Sequence, residues 1–398
     1  MKRLLKGGRV VDPANGRDGI FDVLVDGDRI AEVGANLSAD GAEVMPVAGG
    51  FTAVACMPNT RPVNDNAGVT QLILQKAADA NLARVYPIGA VSRGQKGEEL
   101  ADIAELKAAG CVAVTDDGLP VATAILARRA LEYTSMFDMP MIEHCEDPSL
   151  KGDGVAHEGP VAASLGLRGI PGAAEAITAG RDILLAEMTG GHVHIAHMSA
   201  WTTIEAVRQG KSRGVKVTCE VCPHHFTLTD DMLAAPIAYD TNTKMNPPLR
   251  EARDRDAMIA GIADGTVDAI ATDHAPHHYD EKNVEFDRAP FGIVGLETAV
   301  SITLDRLVHT GVITLSRMVE LMSVNPSRIL HVPGGSLAAG AVADITILAP
   351  DLQVTIDKTR LVSKSKNTPY HGWSFTGGVA ATIVGGRTVY SNPAVKLT

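Results

Sequence analysis

Short apolar segments and amphipathic segments alternate along the middle of the chain. The apolar segments have the length and composition of buried strands. They are GFTAVACM (50–57), RVYPIGAV (84–91), CVAVTDD (111–117), MPMIEHC (139–145), HVHIAHMS (192–199), KVTCEVCP (216–223) and VDAIATDHAPH (267–277). The segments between and after them repeat their apolar residues at a spacing near 3.6, which predicts helices. These are QLILQKAADA, ELADIAELKAAG, AILARRALEYTSMF, AAEAITAGRDILLAEMTG, WTTIEAVRQGKSRG, RDAMIAGIADG and GLETAVSITLDRLVHTG.

Strict alternation of strands and helices predicts parallel strands joined by right-handed crossovers. An open doubly wound sheet is the alternative, but no glycine-rich nucleotide-binding motif follows the first strand. We therefore expect an α/β fold of the TIM type, a (β/α)8 barrel. Seven strands are visible where the barrel needs eight, and the missing one should precede Gly49.

Both ends of the chain have shorter alternating patterns that are typical of antiparallel strands. LLKGGRVV and FDVLVDGDRIAEVG occur near the start, and Asp26-Gly27 predicts a hairpin turn. VADITILAP, LQVTI and AATIVGGRTVY occur near the end. We expect residues 1–47 and 340–398 to form one small β domain, beside a barrel of residues 48–339.

Composition narrows the class of protein. The net charge of -11 argues against a nucleic-acid-binding surface, which is normally basic. The N-terminal sequence lacks the apolar segment of a secretory signal, and no apolar run is long enough to span a bilayer. The 5 cysteines are scattered through predicted strands, which favours free thiols in a reducing compartment. These patterns together predict a cytoplasmic enzyme.

Four of the predicted strands end beside a side chain that binds metals well: Asp117, His144, His197 and Asp273. Each residue alone is also compatible with a structural role, since a carboxylate can cap a loop and a histidine can pack in a core. A barrel brings its strand ends to one mouth, where catalytic residues lie. Two imidazoles and two carboxylates form a mixed site that suits Zn²⁺, as one ion or as a pair. A metal held there could activate water at neutral pH.

The motifs also resemble those of one family. CMPNTRPVND, VTDDG, IEHCED, HIAHMS, CEVCPHHF, KMNPPLR, TDHAPH and FGIVGLET occur in an order that is similar to bacterial class I dihydroorotases, in the amidohydrolase superfamily. The resemblance extends over essentially the whole chain. It implies reversible hydrolysis of dihydroorotate to N-carbamoyl-L-aspartate in pyrimidine biosynthesis, with one or two zinc ions. It also implies a homo-oligomer and, as a potential partner, aspartate carbamoyltransferase.

The resemblance assigns roles to individual residues. It implies that Asp117 is shared by two metals, that His144 and His197 bind one of them, and that Asp273 is both a ligand and the general acid/base. The remaining implied residues bind substrate, the last two through their backbone: Asn59, Asn246, His277, Phe291 and Gly292.

One expected motif is absent. Dihydroorotases have an H-x-H pair followed by Leu-Arg at the end of the first barrel strand, whereas residues 44–51 read VMPVAGGF and the first histidine is His144. Either this sequence omits a βα unit of about 30 residues, or the chain is a remnant that lacks it. Unpaired strand edges in a barrel favour the omission. The remnant could be a non-catalytic subunit that supports aspartate carbamoyltransferase. A hydantoinase or allantoinase is the enzymatic alternative.

Overall fold

The computed structural model describes residues 2–35, 37 and 49–395. Its largest sheet has seven parallel strands in the order β12-β11-β10-β7-β6-β5-β4. These strands are β4 (Ala53–Cys56), β5 (Arg84–Gly89), β6 (Ala113–Val114), β7 (Met141–Glu143), β10 (Val193–Ile195), β11 (Val217–Val221) and β12 (Ala269–Ile270). All seven lie within the predicted apolar segments, so the strand prediction is confirmed. A two-stranded sheet, β8 (Ala156–His157) and β9 (Gly169–Ile170), lies in the connection after β7.

Helices follow the strands as the 3.6 spacing predicts. They are α1 (Ala67–Ala80), α2 (Ile103–Ala109), α3 (Ala124–Ser135), α4 (Pro148–Lys151), α5 (Pro160–Ser164), α6 (Gly172–Thr189), α7 (Trp201–Ser212), α8 (Pro223–Thr227), α9 (Ala252–Ala263), α10 (Tyr279–Lys282), α11 (Ala299–Thr303), α12 (Leu315–Val319) and α13 (Asn325–Ile329). Two π-helical turns, Leu304–Val308 and Glu320–Val324, follow α11 and α12.

Side-chain caps explain where several helices begin. Asn66, Asp102 and Thr123 each accept a hydrogen bond from a backbone amide in the first turn of α1, α2 and α3. Gly110 and Gly190 end α2 and α6 in the left-handed conformation that glycine adopts without steric cost.

The ends of the chain form two antiparallel sheets. One contains β1 (Lys2–Asp12), β2 (Arg17–Asp26) and β3 (Arg29–Gly34), and the other contains β13 (Ile345–Thr355), β14 (Ser374–Val384) and β15 (Arg387–Ser391). The hairpin predicted at Asp26-Gly27 is confirmed, because β2 and β3 pair directly beside it. Val25 and Ile30 of the first sheet share a hydrophobic cluster with Ile345 and Ile383 of the second.

The seven-stranded sheet is not closed within the described residues. Its outermost strands are β4 and β12, and residues 44–48, where the missing strand is expected, lie outside the described part of the chain. Every residue of β7 and β10 is buried, whereas in β4 three residues are half-buried and Ala55 is exposed. A cavity of about 1170 Å³ is lined by residues of both outer strands. The opening therefore lies between the strands that an eighth strand would join.

Candidate metal and active site

The structure brings three of the four predicted metal ligands together. Asp117, His144 and His197 follow β6, β7 and β10, which are neighbours in the parallel sheet, so their side chains emerge at the same mouth. One ligand atom from each lies within 4.8 Å of the others, and all three residues are buried.

The donor atoms of this cluster converge on one another. His144 Nδ1 lies 3.1 Å from His197 Nε2, which lies 3.1 Å from Asp117 Oδ1. His144 Nδ1 is also 3.8 Å from the same carboxylate oxygen. The two ring nitrogens and the carboxylate oxygen point their lone pairs toward one another, so each contact needs a proton between the two atoms. One divalent cation would instead accept a lone pair from all three. The donor set thus fits a metal such as zinc.

Electrostatics at the cluster favour an ion pair when no metal is bound. Burial alone would lower the pKa of His197, but the hydrogen bond that His197 donates to Asp117 and the negative charges of Asp273 and Asp117 raise it to about 10. Burial opposes ionisation of Asp117, yet its hydrogen bond to His197 and the charges of His197 and His144 lower its pKa. The site is therefore built to hold positive charge beside Asp117.

Asp273 lies beside the three-residue cluster. Burial raises the pKa of Asp273 to about 7; the charge of His197 opposes this shift, and the charges of Asp117 and Glu220 add to it. A carboxyl group with a pKa near neutrality can accept and return a proton at physiological pH. Asp273 and His197 both have positive φ, 41° and 32°, a conformation rare outside glycine and often found at functional sites.

The predicted substrate-binding residues lie around this cluster. Asn246 Nδ2 is 3.2 Å from His144 Nε2, and its Oδ1 is buried without a hydrogen-bond partner among the described residues. His277 Nε2 lies 2.8 Å from the carbonyl oxygen of Phe291. The Gly292 amide, which was expected to contact substrate, already donates to the Lys244 carbonyl at 2.9 Å.

One cavity contains all of the predicted site residues. They line it together with residues of the open edge: Asn59, Asp117, His144, His197, Asn246, Asp273, His277, Phe291 and Gly292. Asn59 reaches the loop after Asp117, since a Cβ atom added to Gly118 would lie 3.7 Å from Asn59 Nδ2.

Two charged residues at this site, Glu146 and Lys151, were not predicted from the sequence. Glu146 Oε2 lies 3.7 Å from His144 Nε2 and 2.6 Å from Lys151 Nζ. Burial works against ionisation of Glu146, but His144 and Lys151 lower its pKa to about 2. Glu146 could have been found, because it stands two residues after His144 in IEHCED. Nothing in the local sequence marks Lys151.

Two further groups of potential ligands occur in the described residues: Cys222, His224 and His225, and His157, Glu251 and Asp254. None of these residues lines the large cavity, so neither group can meet a substrate there. Cys219 and Cys222 form a C-x-x-C pair. Cys219 Sγ donates to the Thr266 carbonyl at 3.3 Å, which fits a packed core thiol. In the described chain, no helix combines the length and the apolar character that crossing a membrane requires.

Comparisons with known proteins agree with this geometry. A family model described as dihydro-orotase-like matches residues 24–203. The dihydroorotase of Syntrophotalea carbinolica is 48% identical over 425 positions, which cover 98% of this chain and 99% of the relative. That of Pelotomaculum thermopropionicum is 49% identical over 432 positions and 100% of both proteins. The aligned 425 positions exceed the 398 residues of the chain, so this relative contains residues that have no counterpart here.

Solved structures with the same fold are more distant in sequence. L-hydantoinase from Arthrobacter aurescens superposes with a TM-score of 0.83 at 21% identity and covers 99% of this chain and 97% of its own. Dihydropyrimidinase from Brevibacillus agri NCHU1002 gives a TM-score of 0.79 at 20% identity, with 98% and 95% covered. These superpositions confirm the expected barrel-type fold with its additional β sheets.

Proposed function

The chain belongs to the dihydroorotase family, and on that premise we propose that it is a zinc-dependent dihydroorotase. The proposed reaction is the reversible hydrolysis of dihydroorotate to N-carbamoyl-L-aspartate in de novo pyrimidine biosynthesis. The observation that carries the proposal is the convergence of Asp117, His144 and His197, with Asp273 beside them, in one cavity.

We assign the metal to Asp117, His144 and His197, with Asp273 as a further ligand. A divalent metal bound there supplies Lewis acidity toward the ring carbonyl and lowers the pKa of water. Asp273 then moves the proton between the attacking water and the leaving ring nitrogen, for which a pKa near 7 is suited.

We assign substrate binding to the residues around the metal site. Asn246 offers a buried amide oxygen without a partner, which can accept a hydrogen bond from a ring N–H. His277 contacts the Phe291 carbonyl and so orients the backbone segment beside the substrate. Asn59 completes the cavity on the side of Asp117. Because Gly292 N is already bonded to Lys244, we assign Gly292 a part in shaping the loop.

The substitution Asp273→Asn tests the acid/base assignment. The variant should lose turnover of dihydroorotate by several orders of magnitude, because an amide cannot carry the proton, while it keeps its fold and most of its zinc. Turnover is followed by the loss of dihydroorotate, and bound zinc by elemental analysis. Wild-type turnover in a folded Asp273→Asn protein would show that the assignment is wrong.

A non-catalytic dihydroorotase-like subunit is the second candidate, and the absence of an H-x-H pair from residues 44–51 favours it. On this alternative the protein supports aspartate carbamoyltransferase by binding alone. The intact mass of the natural gene product separates the two. A measured mass of 41.7 kDa, equal to that of this sequence, would favour the remnant. A mass larger by roughly 3 kDa, that of a βα unit, favours the enzyme.

A hydantoinase or allantoinase activity is less well supported, since the structural neighbours with such names share only about a fifth of their residues with this chain. Comparing turnover of dihydroorotate with that of hydantoin decides between dihydroorotase and hydantoinase activity.

We also propose that the protein is a homo-oligomer in the cytoplasm. Its 5 free cysteines support the reducing compartment. The hydrophobic cluster shared by the terminal sheets supports a single β domain of residues 1–47 and 340–398.

A further inference from the structure

We infer that Glu175 and Arg250 are positioning residues that hold the loop of His197 against the loop of Asn246. Both lie outside the cavity. They form a buried ion pair, with Arg250 Nη2 at 3.2 Å from Glu175 Oε2 and both side chains only 3% exposed. This inference rests on the proposed function only in naming what the two loops bind.

The carboxylate of Glu175, at the start of α6, binds the loop that follows His197. Its Oε1 accepts hydrogen bonds from the backbone amides of Ser199 and Ala200, each at 3.0 Å. Its Oε2 accepts the hydroxyl of Ser199. These contacts begin two residues after His197, whose φ of 32° turns the chain out of β10. Glu175 therefore fixes the backbone that sets the direction of the His197 ring.

The guanidinium of Arg250 joins the second loop to the same point. Arg250 follows Asn246 by four residues, and its Nε donates to Ser199 Oγ at 2.7 Å. Its Nη1 reaches His157 Nδ1 at 3.2 Å and the Ile170 carbonyl at 3.4 Å. The Ser199 hydroxyl contacts both the Arg250 guanidinium and the Glu175 carboxylate. A movement of the guanidinium would therefore shift the loop of His197 together with the loop of Asn246.

A purely structural role would also place a carboxylate near the start of α7, where the first amides need acceptors. The two roles predict different results. A helix cap affects the free energy of unfolding alone. A positioning pair also affects how His197 meets the metal and how Asn246 meets its ligand, as groups behind metal ligands commonly do.

Zinc affinity of three variants, measured by competition with a chromophoric chelator, tests the inference. Glu175→Gln and Arg250→Met each leave one charge unpaired, whereas the double variant removes both charges. The exposed ion pair of Arg213 and Glu187, both more than 40% exposed, provides the control variant Glu187→Gln. All proteins are compared below their melting temperatures, with the fold checked by circular dichroism.

We expect each single variant to bind zinc about 10- to 100-fold more weakly than wild type. The double variant should recover thermal stability and keep the weak zinc binding, because the contacts of the Ser199 hydroxyl with Glu175 Oε2 and Arg250 Nε are still lost. The control should bind like wild type. Unchanged zinc affinity in folded single variants, or recovery of affinity in the double variant, would overturn the inference.

Ser199→Ala keeps the ion pair and removes only the hydroxyl between the loops, so it serves if the charged variants do not fold. It should increase hydrogen exchange at the amides after His197 and leave exchange in β11 unchanged. Unaltered exchange there would contradict the inference. These readouts need no substrate, so a wild-type protein that binds zinc but leaves dihydroorotate intact refutes the proposed function and not this inference.

Discussion

The buried pair of Asp117 and His197 makes the stability of the metal-free protein depend on pH. His197 has a pKa of about 10 in the folded protein, against 6.5 for an ordinary histidine. A raised folded-state pKa means that the folded protein holds this proton more tightly than the unfolded chain does. The contribution is therefore complete below pH 6.5 and is lost as the pH rises toward 10.

The magnitude follows from the size of the shift. Each unit of pKa corresponds to about 1.4 kcal/mol, so the rise of the His197 pKa from 6.5 to about 10 makes its contribution on the order of 5 kcal/mol. It is still a large fraction of the stability of a typical domain, about 5–15 kcal/mol.

Urea unfolding of chelator-treated protein at several pH values measures this effect. Lys244 and Lys282 work in the opposite direction above pH 8, because burial lowers the pKa of each lysine to about 8. Their contribution cancels when wild type is compared with His197→Asn at each pH. The free energy of unfolding of wild type should exceed that of His197→Asn most near pH 6, and this difference should decrease steadily toward pH 10.

A difference in unfolding free energy between wild type and His197→Asn that stays constant over this range would refute the assignment of a proton to the pair.

The pH dependence of zinc affinity provides a second test. Histidine must be neutral to bind a metal, so zinc has to displace this proton. Zinc affinity should accordingly rise with pH up to about 10 in wild type. A zinc affinity that does not vary with pH would contradict the same assignment.

Four further changes test the rest of the structure. His277→Ala should mainly raise KM for dihydroorotate, because the contact to the Phe291 carbonyl is lost; an unchanged KM in steady-state kinetics would count against a binding role. Gly292→Ala should lower the melting temperature, since its Cβ would lie 2.7 Å from the Ala275 carbonyl oxygen. Gly180→Ala on α6 is the control, because its Cβ would enter open space, and it should raise the free energy of unfolding by about 0.5–1 kcal/mol. Inserting a βα unit of about 30 residues, with an H-x-H pair in its strand, ahead of β4 should raise the melting temperature by pairing both outer strands, and a lower value would argue for a genuine seven-stranded protein.

The sequence predicted the strands and the cluster at their ends because both are local properties. A run of apolar residues identifies each strand, and the polar residue that follows it must emerge at the mouth of a parallel sheet. We expected Asp117, His144 and His197 at one mouth on this basis, and the structure brings one ligand atom from each within 4.8 Å of the others.

Contacts between distant residues could not be predicted in the same way. Glu175 is the fourth residue of a helix and Arg250 lies in a loop, 75 residues apart, and neither position marks them as partners. The Gly292 amide shows the same limit. The family resemblance implied a backbone contact from this amide to substrate, but only the folded chain reveals that the amide already donates to the Lys244 carbonyl.

The open edge of the sheet affects the ligands unequally. Asp117, His144 and His197 follow β6, β7 and β10, and each of these strands has a paired neighbour on both sides. Asp273 follows β12, which is an outer strand, and the residues after it are only half-buried. An eighth strand would pair with β12 and so support Asp273 directly, because an unpaired edge leaves backbone groups without partners. On the proposed roles, the three-residue cluster should therefore bind a metal without that strand, whereas the position of Asp273 depends on it.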